Sequence, residues 1–276
     1  MSRRLVWLSC TTVAMAVLLV ATIARGVPEA ATGKGRELTV FAAASLRDAF
    51  GKLGESFERT HPGVHVRFNF AGSQELRMQM ENGAPVDVFA SADPQQFDAA
   101  RGGGLVGAPK IFATNEPVIV VPRANPAKVT GLADLATVKR LVIGAPGVPI
   151  GTYTLQILDK AKAKYGADFR TRVEAKVVSR ELNVRQVLNK VSLGEADAGI
   201  VYRTDARSAK DTVQIIDIPA DLNVVAEYPM SSALRAPAPD LAKAWMELVT
   251  GPTGQATLGE FGFGKSKAPA RWRSKR

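Results

Sequence analysis

The sequence is poor in the residues that most hydrolases and metal sites require. Its 276 residues include one cysteine, Cys10, and two histidines, His61 and His65. Cys10 lies in the apolar N-terminal segment, so a chain cleaved after that segment holds no cysteine, which excludes a disulfide or a thiolate metal site. The sequence has no Gly-x-Ser-x-Gly elbow and no zinc-ligand spacing. Aromatic residues make up only 7% of the chain, which argues against a carbohydrate site lined with stacked rings.

Basic residues are concentrated at the two ends of the chain. The formal net charge is +10, but residues 1–25 carry three basic and no acidic side chains, and residues 265–276 carry six basic and no acidic ones. Residues 26–264 hold 27 basic and 26 acidic side chains, so the body of the chain is nearly neutral. Nucleic-acid binders carry their positive charge on a folded face. We therefore expect no nucleic acid as a partner, despite the high pI.

The N-terminal segment is typical of an export signal. Arg3 and Arg4 precede a mostly apolar stretch of 20 residues, and small residues that a peptidase accepts lie at its end (21–24) and shortly after it (29–31). We predict a cleaved signal over residues 1–25, although an apolar stretch of this length can also remain as a membrane anchor. Residues 26–36 are predicted to be a linker, and the basic residues 265–276 a disordered tail. The mature protein is thus expected in the periplasm.

Between these ends, predicted strands and helices alternate. Short apolar or alternating runs predict strands, and apolar residues three and four positions apart predict helices. The predicted strands are 38–42, 64–70, 86–90, 117–122, 141–144, 175–178, 199–202, 213–216 and 224–228. The predicted helices are 46–57, 74–81, 94–100, 132–135, 152–164, 184–191, 241–249 and 257–261. This order predicts an α/β fold of mainly parallel sheets flanked by helices, with ligands bound at the carboxyl ends of the strands.

Two strand-to-helix junctions share a pattern of small residues followed by a serine. The first is Ala42-Ala43-Ala44-Ser45, and the second is Ala71-Gly72-Ser73. Small residues let a ligand approach the main chain, and a helix start offers free N–H groups and the positive end of the helix dipole. Each serine is equally well explained as a helix N-cap, and Ser45 with Asp48 has the spacing of a capping box. The two serine junctions can therefore form one shared anion site, or each serine can simply cap its own helix.

Three further motifs admit both a ligand-binding and a purely structural interpretation. The Gly- and Pro-rich loop 144–153 can present N–H groups near Ile150, or it can be an ordinary connection. Tyr202 ends a buried strand, where its hydroxyl can donate to an oxyanion or belong to the core. Asp87 and Asp93 are candidate metal ligands, but histidines are lacking nearby, and Asp93 before a proline is typical of a helix N-cap.

At these positions the sequence resembles the periplasmic molybdate-binding proteins of molybdate ABC transporters. The similarity covers residues 38–264, and five segments carry it: Val40–Leu46, Gly83–Asp93, Gly199–Tyr202, Glu227–Pro229 and Phe261–Phe263. The resemblance implies a two-lobed, type II periplasmic-binding-protein fold. Lobe one would hold residues 37–116 and 229–264, and lobe two residues 117–228. The ligand would be clamped between the lobes by a hinge motion.

The resemblance also implies ligand contacts at five positions. They are the side chains of Ser45, Ser73 and Tyr202 and the main-chain N–H groups of Ile150 and Val184. Family members often have Ala where Ile150 stands, which a main-chain contact tolerates. They also have serine-rich sequence around the position of Ser73, which is flanked here by Gly72 and Gln74; this change bears on selectivity.

The five positions offer hydrogen-bond donors and no carboxylate. Molybdate at neutral pH is an unprotonated dianion that only accepts hydrogen bonds, whereas phosphate usually carries a proton and needs an acceptor. The resemblance implies a monomeric, non-enzymatic binder of molybdate or tungstate that delivers it to a membrane permease, with no cofactor and no protein-ligated metal cation. A binder of another oxyanion such as sulfate, an exported hydrolase using Ser45 or Ser73, and a membrane-anchored sensor domain stay open as alternatives.

Overall fold

The computed structural model of the protein describes residues 35–265. The predicted export signal, most of the predicted linker and the basic tail beyond Lys265 lie outside these residues. Arg36, predicted to end the linker, already belongs to the first strand. Among the helices of residues 35–265, none combines the length and the apolar character needed to cross a bilayer.

Strands and helices alternate along the described residues. The strands are β1 (Arg36–Ala43), β2 (Val64–Ala71), β3 (Val88–Ala90), β4 (Lys110–Asn115), β5 (Pro117–Pro122), β6 (Leu141–Gly144), β7 (Val177–Glu181), β8 (Ala198–Tyr202), β9 (Val213–Ile216) and β10 (Ala226–Ser232). The α-helices are α1 (Arg47–Thr60), α2 (Ser73–Glu81), α3 (Pro94–Gly102), α4 (Pro149–Tyr165), α5 (Phe169–Glu174), α6 (Val184–Ser192), α7 (Arg203–Ser208), α8 (Pro239–Thr250) and α9 (Pro252–Glu260). Two 3-10 turns cover Ala44–Leu46 and Leu132–Ala136.

The strands form two five-stranded sheets, one in each lobe. The first has the order β2-β1-β3-β10-β4, and the second has the order β7-β6-β8-β5-β9. In the first sheet β10 is antiparallel to both of its neighbours, and in the second sheet β5 is. The other four strands of each sheet run in one direction, so the prediction of two lobes with mainly parallel sheets is confirmed.

The two reversed strands are the ones that arrive from the opposite sheet. β4 ends at Asn115 in the first sheet, and β5 begins at Pro117 in the second, with only Glu116 between them. The chain leaves the second sheet at Ile216 and enters the first again at Ala226. These two connections join the lobes.

Each sheet is buried under helices that use their apolar faces. In the first lobe, the Trp245 ring on α8 packs edge-on against Phe50 and Phe57 of α1, with ring centroids 5.3 and 5.6 Å apart. In the second lobe, β5 has four consecutive fully buried residues, Val118 to Val121, as a strand covered on both faces requires. This burial is the main source of stability for both lobes.

Strand register sets where the strands end and therefore where the helices begin. In the first lobe Ala43 pairs with Ala71, so β1 and β2 end side by side. In the second lobe Gly144 pairs with Glu181, so β6 and β7 also end side by side. Each pair of ends therefore brings two strand-to-helix junctions to one edge of its sheet, as expected for parallel strands.

The structure differs from the sequence prediction mainly at short elements. Strand β4 and helices α5 and α7, each of six residues, were not predicted, because such short segments show too little periodicity. Helix α4 begins at Pro149 and not at Thr152, so the end of the predicted loop is the first turn of a helix. A proline at the first helical position has no N–H to lose and favours this earlier start.

Candidate functional site

One small cavity between the lobes brings together all five residues predicted to bind ligand. Ser45 and Ser73 line it from the first lobe, and Ile150, Val184 and Tyr202 from the second. Its other lining residues are small, apolar or uncharged: Ala43, Ala44, Ala71, Gly72, Ala92, Val148, Pro149 and Asn183. No ionisable acid or base is therefore among the described residues that line it, apart from the phenol of Tyr202.

Ser45 does not cap a helix, so the predicted capping box with Asp48 is wrong. Ala43 precedes the 3-10 turn, Leu46 precedes α1, and neither helix start has a side-chain cap. Ser45 is 2% exposed, and its hydroxyl instead lies 2.9 Å from the hydroxyl of Tyr228. The serine is thus free of a capping role and is held by a side chain from β10.

Ser73 is likewise not a cap, although it is the first residue of α2. Gly72 precedes the helix, and its N–H donates to Glu75 Oε2 at 3.0 Å. Ser73 Oγ accepts a hydrogen bond from the main-chain N–H of Ala92 at 3.0 Å. Because the serine oxygen is already an acceptor, its own hydrogen is available for donation at the cavity.

The second lobe presents two helix starts to the same cavity. Ile150 follows Pro149 in the first turn of α4, where N–H groups have no partner within the helix. Val184 opens α6, and the side chain of Asn183 accepts from the N–H groups of Arg185 and Gln186. This cap leaves the Val184 N–H as the unused donor of the first turn. Both helix starts direct the positive ends of their dipoles toward the cavity lining.

Tyr202 contributes a buried hydroxyl to the cavity. Its side chain is 1% exposed, and its oxygen has no hydrogen-bond partner among residues 35–265. Burial raises the pKa of the Tyr202 phenol well above its ordinary value, so the group stays a neutral O–H donor. The cavity therefore combines hydroxyl and main-chain N–H donors, a set that suits an anion able to accept several hydrogen bonds.

Comparison with known proteins identifies the family of the chain. The sequence profile of the bacterial extracellular solute-binding protein family matches residues 38–264. The protein belongs to this family. Molybdate-binding protein ModA of Mycobacterium bovis is 42% identical to the solute-binding protein over 240 residues, which cover 86% of this chain and 88% of the relative.

A second relative and a solved structure agree with this family. The putative ABC transporter substrate-binding lipoprotein YvgL of Bacillus subtilis is 30% identical over 259 residues, 90% of this chain and 94% of the relative. The periplasmic molybdate-binding protein of Azotobacter vinelandii superposes with a TM-score of 0.71 at 22% identity, over 83% of this chain and all of that one. At that identity the superposition supports the fold of the solute-binding protein alone.

The lobes of the solute-binding protein touch on both sides of the cavity. The Gln74 amide donates to the Leu182 carbonyl at 2.8 Å, and the Gln96 amide donates to the Gly147 carbonyl at 2.9 Å. A third contact is the ion pair that Arg185 of α6 forms with Asp48 of α1. These contacts define a closed arrangement of the two lobes.

The absence of a side chain at Gly72 allows the first lobe to approach the Leu182 carbonyl of the second lobe closely. A Cβ atom at this position would lie 2.3 Å from the Leu182 carbonyl oxygen of the other lobe. The small residues predicted to admit a ligand therefore also admit the opposite lobe. Gln74, which the sequence marked only as a departure from the family pattern, is one of the residues that bridge the lobes.

The two carboxylates considered as metal ligands have structural partners in the solute-binding protein. Asp87 accepts the N–H groups of Thr39 at 2.8 Å and of Ala238 at 2.6 Å, which ties β3 to two other segments. Asp93 caps α3 and accepts the Gln96 N–H at 2.9 Å, as predicted. Residues 35–265 contain no cluster of three or more His, Cys, Asp or Glu side chains placed to hold a metal ion.

The sequence alone does not indicate a role for Tyr228 and Asn115, which lie next to Ser45 on the side away from the cavity. Tyr228 was quoted only as part of a family segment, and Asn115 lies in the strand β4, which was not predicted. Tyr228 is fully buried, and Asn115 is 3% exposed. Asn115 and Tyr228 are buried polar residues next to the two connections between the lobes. Their relation to Ser45 can be recognised only from the fold.

Proposed function

We propose that the protein captures molybdate, and also tungstate, outside the cytoplasmic membrane and delivers it to the permease of an ABC transporter. The hydroxyl and main-chain N–H donors of the interlobe cavity, with no carboxylate among its lining residues, support an oxyanion as the ligand. The molybdate-binding name of the 42% identical relative supports molybdate, and the transporter name of the Bacillus relative supports the permease. In this proposal Ser45, Ser73 and Tyr202 bind through hydroxyls, and Ile150 and Val184 bind through N–H groups.

The observation that carries the proposal is the unpaired hydroxyl of Tyr202. A buried polar group without a hydrogen bond costs roughly 1–3 kcal/mol, so such a group usually has a partner. The Tyr202 hydroxyl lines the same cavity as two serine hydroxyls and two helix starts. A tetrahedral oxyanion held there would accept from all of them at once.

The chemistry of the lining separates unprotonated from protonated anions. Hydrogen phosphate would bring a P–OH group that needs an acceptor, and no carboxylate lines the cavity. Molybdate, tungstate and sulfate carry no proton at neutral pH and fit a site that offers several donors and no carboxylate. Sulfate is therefore the competing ligand, and it differs from molybdate in size and not in hydrogen bonding.

The alternative of an exported serine hydrolase has no support at either serine. Ser45 Oγ is paired with a tyrosine hydroxyl, and Ser73 Oγ accepts a main-chain N–H. A serine nucleophile needs a general base within hydrogen-bond reach. His61 instead bonds to Thr60 and Phe57 at the end of α1, the helix that it follows.

The remaining parts of the proposal concern location and assembly. We expect export to the periplasm with removal of residues 1–25, and a monomeric protein that needs no cofactor. N-terminal sequencing of the protein isolated from the cell envelope tests the cleavage. An N-terminus that still includes Arg3 and Arg4 would instead support the membrane-anchored sensor.

Isothermal titration of the exported protein with molybdate, tungstate, sulfate and phosphate tests the ligand. We expect saturable 1:1 binding of molybdate and tungstate, weaker binding of sulfate, and none of phosphate. Ser45→Ala and Ser73→Ala should each weaken molybdate binding by roughly tenfold or more, since each removes a hydrogen bond to a charged ligand. Ser56→Ala, on α1 away from the cavity, is the control and should bind like the unmodified protein. Binding of sulfate or phosphate without molybdate would contradict the proposal.

A further inference from the structure

We infer that Tyr228 is a positioning residue that holds the Ser45 hydroxyl as a hydrogen-bond donor toward the ligand and thereby makes the site selective for unprotonated oxyanions. The inference rests on the proposed function, because it concerns the same cavity. Tyr228 does not line that cavity. Its ring packs edge-on against Tyr202, and Ser45 is the lining residue that its hydroxyl contacts.

The hydroxyl groups of Tyr228 and Ser45 are in direct contact. Tyr228 lies on β10 and is fully buried, and its hydroxyl oxygen is 2.9 Å from Ser45 Oγ. The two residues are 183 positions apart in the chain, so the contact is created by the insertion of β10 beside β3. Between two hydroxyls either oxygen can be the donor, and the surrounding groups decide which one is.

Asn115 decides the direction of this hydrogen bond. Its Oδ1 accepts the N–H of Glu116 at 3.0 Å, so its Nδ2 must point the other way. That Nδ2 donates to Thr204 Oγ1 at 2.8 Å and lies 3.4 Å from the Tyr228 hydroxyl. Tyr228 therefore faces an N–H donor on one side, and Ser45 is the acceptor left for its own hydrogen.

The Tyr228 phenol stays protonated, so it can act as the donor to Ser45. Burial raises the pKa of the Tyr228 phenol well above its ordinary value, so the hydroxyl keeps its hydrogen at physiological pH. The groups that influence this phenol are Ser45, Asn115, Tyr153 and the buried carboxylate of Asp205. The hydrogen bond from Tyr228 to Ser45 should thus persist across the neutral range.

The hydrogen bond from Tyr228 makes Ser45 a donor toward the cavity. A serine hydroxyl has one hydrogen, and because Tyr228 donates to its oxygen, that hydrogen is free to turn toward the cavity. Ser73 is held in the same way by the N–H of Ala92. Both serines are thus preorganised to donate to an oxyanion, and neither needs to reorient when the ligand arrives. Each serine oxygen then has one lone pair left, so a P–OH group would find only a weak acceptor there and no carboxylate.

Tyr228→Phe tests the inference, because it removes one oxygen and keeps the ring. The ring contacts with Phe112, Tyr202 and Phe263 are edge-on and do not use the hydroxyl. We expect molybdate affinity to fall roughly tenfold, as for the loss of one oriented hydrogen bond at a charged ligand. Phosphate binding should fall less or appear for the first time, so the molybdate-to-phosphate affinity ratio should decrease. Urea denaturation verifies that the variant is folded.

A double-mutant cycle with Ser45→Ala separates positioning from a general structural effect. If Tyr228 acts through Ser45, Tyr228→Phe should change the affinity less than twofold once Ser45 is already alanine. Equal losses in both backgrounds, or an unchanged affinity in Tyr228→Phe itself, would overturn the inference. Tyr165→Phe, at the far end of α4, is the matched control.

The same cycle distinguishes failure of this inference from failure of the proposed function. If the unmodified protein binds sulfate and not molybdate, the proposed ligand is wrong, and the cycle is repeated with sulfate. Sulfate is equally free of protons, so the expected non-additivity is unchanged.

Discussion

The side-chain amide of Gln74, in the first lobe, donates a hydrogen bond to the main-chain carbonyl of Leu182, in the second, at 2.8 Å. This bond exists only when the lobes are closed, so it stabilises the closed state and contributes nothing to an open one. Ligand affinity includes the free energy of closure. The bond should therefore appear in binding measurements.

Replacing Gln74 with Met removes this bond while keeping the length and the charge of the side chain. A neutral hydrogen bond contributes about 0.5–1.5 kcal/mol, so we expect molybdate affinity to fall roughly three- to tenfold, chiefly through faster dissociation. Titration and stopped-flow release measure the two quantities. Gln79→Met is the control, because Gln79 bonds to Asn69 within the first lobe. Equal affinities of the Gln74 variant and the unmodified protein would show that this bond does not favour closure.

Gly72→Ala places a methyl group against the same Leu182 carbonyl. The Cβ would lie 2.3 Å from that oxygen, which is closer than real Cβ contacts, so the lobes could not close fully. We expect ligand affinity to fall more than tenfold. The free energy of unfolding without ligand should change by less than about 1 kcal/mol, because within its own lobe the methyl group meets only the end of the flexible Gln74 side chain. Small-angle X-ray scattering with ligand should show incomplete compaction.

The control for this substitution is Gly51→Ala in α1. No atom lies within 4 Å of a Cβ at Gly51, and alanine favours the helix by up to about 1 kcal/mol. This variant should be slightly more stable and should bind ligand unchanged. A Gly72→Ala protein that binds as tightly as the Gly51→Ala protein would show that the lobes separate at this contact without cost.

Tyr202→Phe should change stability and affinity in opposite directions. In the ligand-free protein it removes a buried hydroxyl that has no partner among residues 35–265, so the free energy of unfolding should stay the same or rise by up to about 1 kcal/mol. With ligand it removes a donor to a charged group, which costs about 1.5–3 kcal/mol and lowers affinity at least tenfold. Chemical denaturation and titration on the same preparation check both signs. A loss of stability without a loss of affinity would place Tyr202 outside the ligand contacts.

Asp93 should make stability depend on pH. Burial raises the pKa of its carboxyl from 3.8 to about 6, against the opposing effect of the Gln96 N–H. A raised pKa means that the folded protein binds the proton more tightly than the unfolded chain does. The contribution to stability is therefore full below about pH 4 and is lost as the pH rises through 6.

Asp93→Asn removes this titration and keeps an N-cap residue at the start of α3. Between pH 4 and 7.5 the unfolding free energy of the unmodified protein should decrease, relative to the variant, by up to about 3 kcal/mol, at 1.36 kcal/mol per pKa unit. Urea denaturation at both pH values gives this difference, in which the effects of all other titrating groups cancel. Parallel pH profiles of the two proteins would show that Asp93 keeps an ordinary pKa.

The strand-to-helix junctions of the site could be predicted from the sequence, and their hydrogen bonds could not. Small residues before Ser45 and Ser73 are a local signal, and the family resemblance supplied Ile150, Val184 and Tyr202. The structure brings all five to one cavity. The partner of Ser45, in contrast, is 183 residues away, and no local pattern reports a contact at that separation.

Contacts between residues far apart in the chain also explain errors in the predicted fold. The long amphipathic helices and the buried strands were found by their periodicity, and β9 was placed at Val213–Ile216 as observed. Strand β4 was missed because its six residues show too little periodicity, and its pairing with β10 from the far end of the chain leaves no local signal. Of the two interpretations left open for Ser45, the N-cap was wrong, because serine is only statistically a cap and the Ser45 hydroxyl here contacts a buried tyrosine.

The position of β10 between β3 and β4 also determines the order in which the lobes can be completed. All strands of the second sheet lie within residues 117–216, so that lobe can form as soon as this continuous stretch is available. The first sheet lacks the strand that joins β3 to β4 until residues 226–232 arrive, and β4 has no other strand as a neighbour until then. During synthesis, which proceeds from the N-terminus, the second lobe would therefore fold first. The strands at the start of the chain would complete their sheet only after β10 has been made. During that interval the exposed edges of β3 and β4 are where a chaperone or an unwanted second chain would bind.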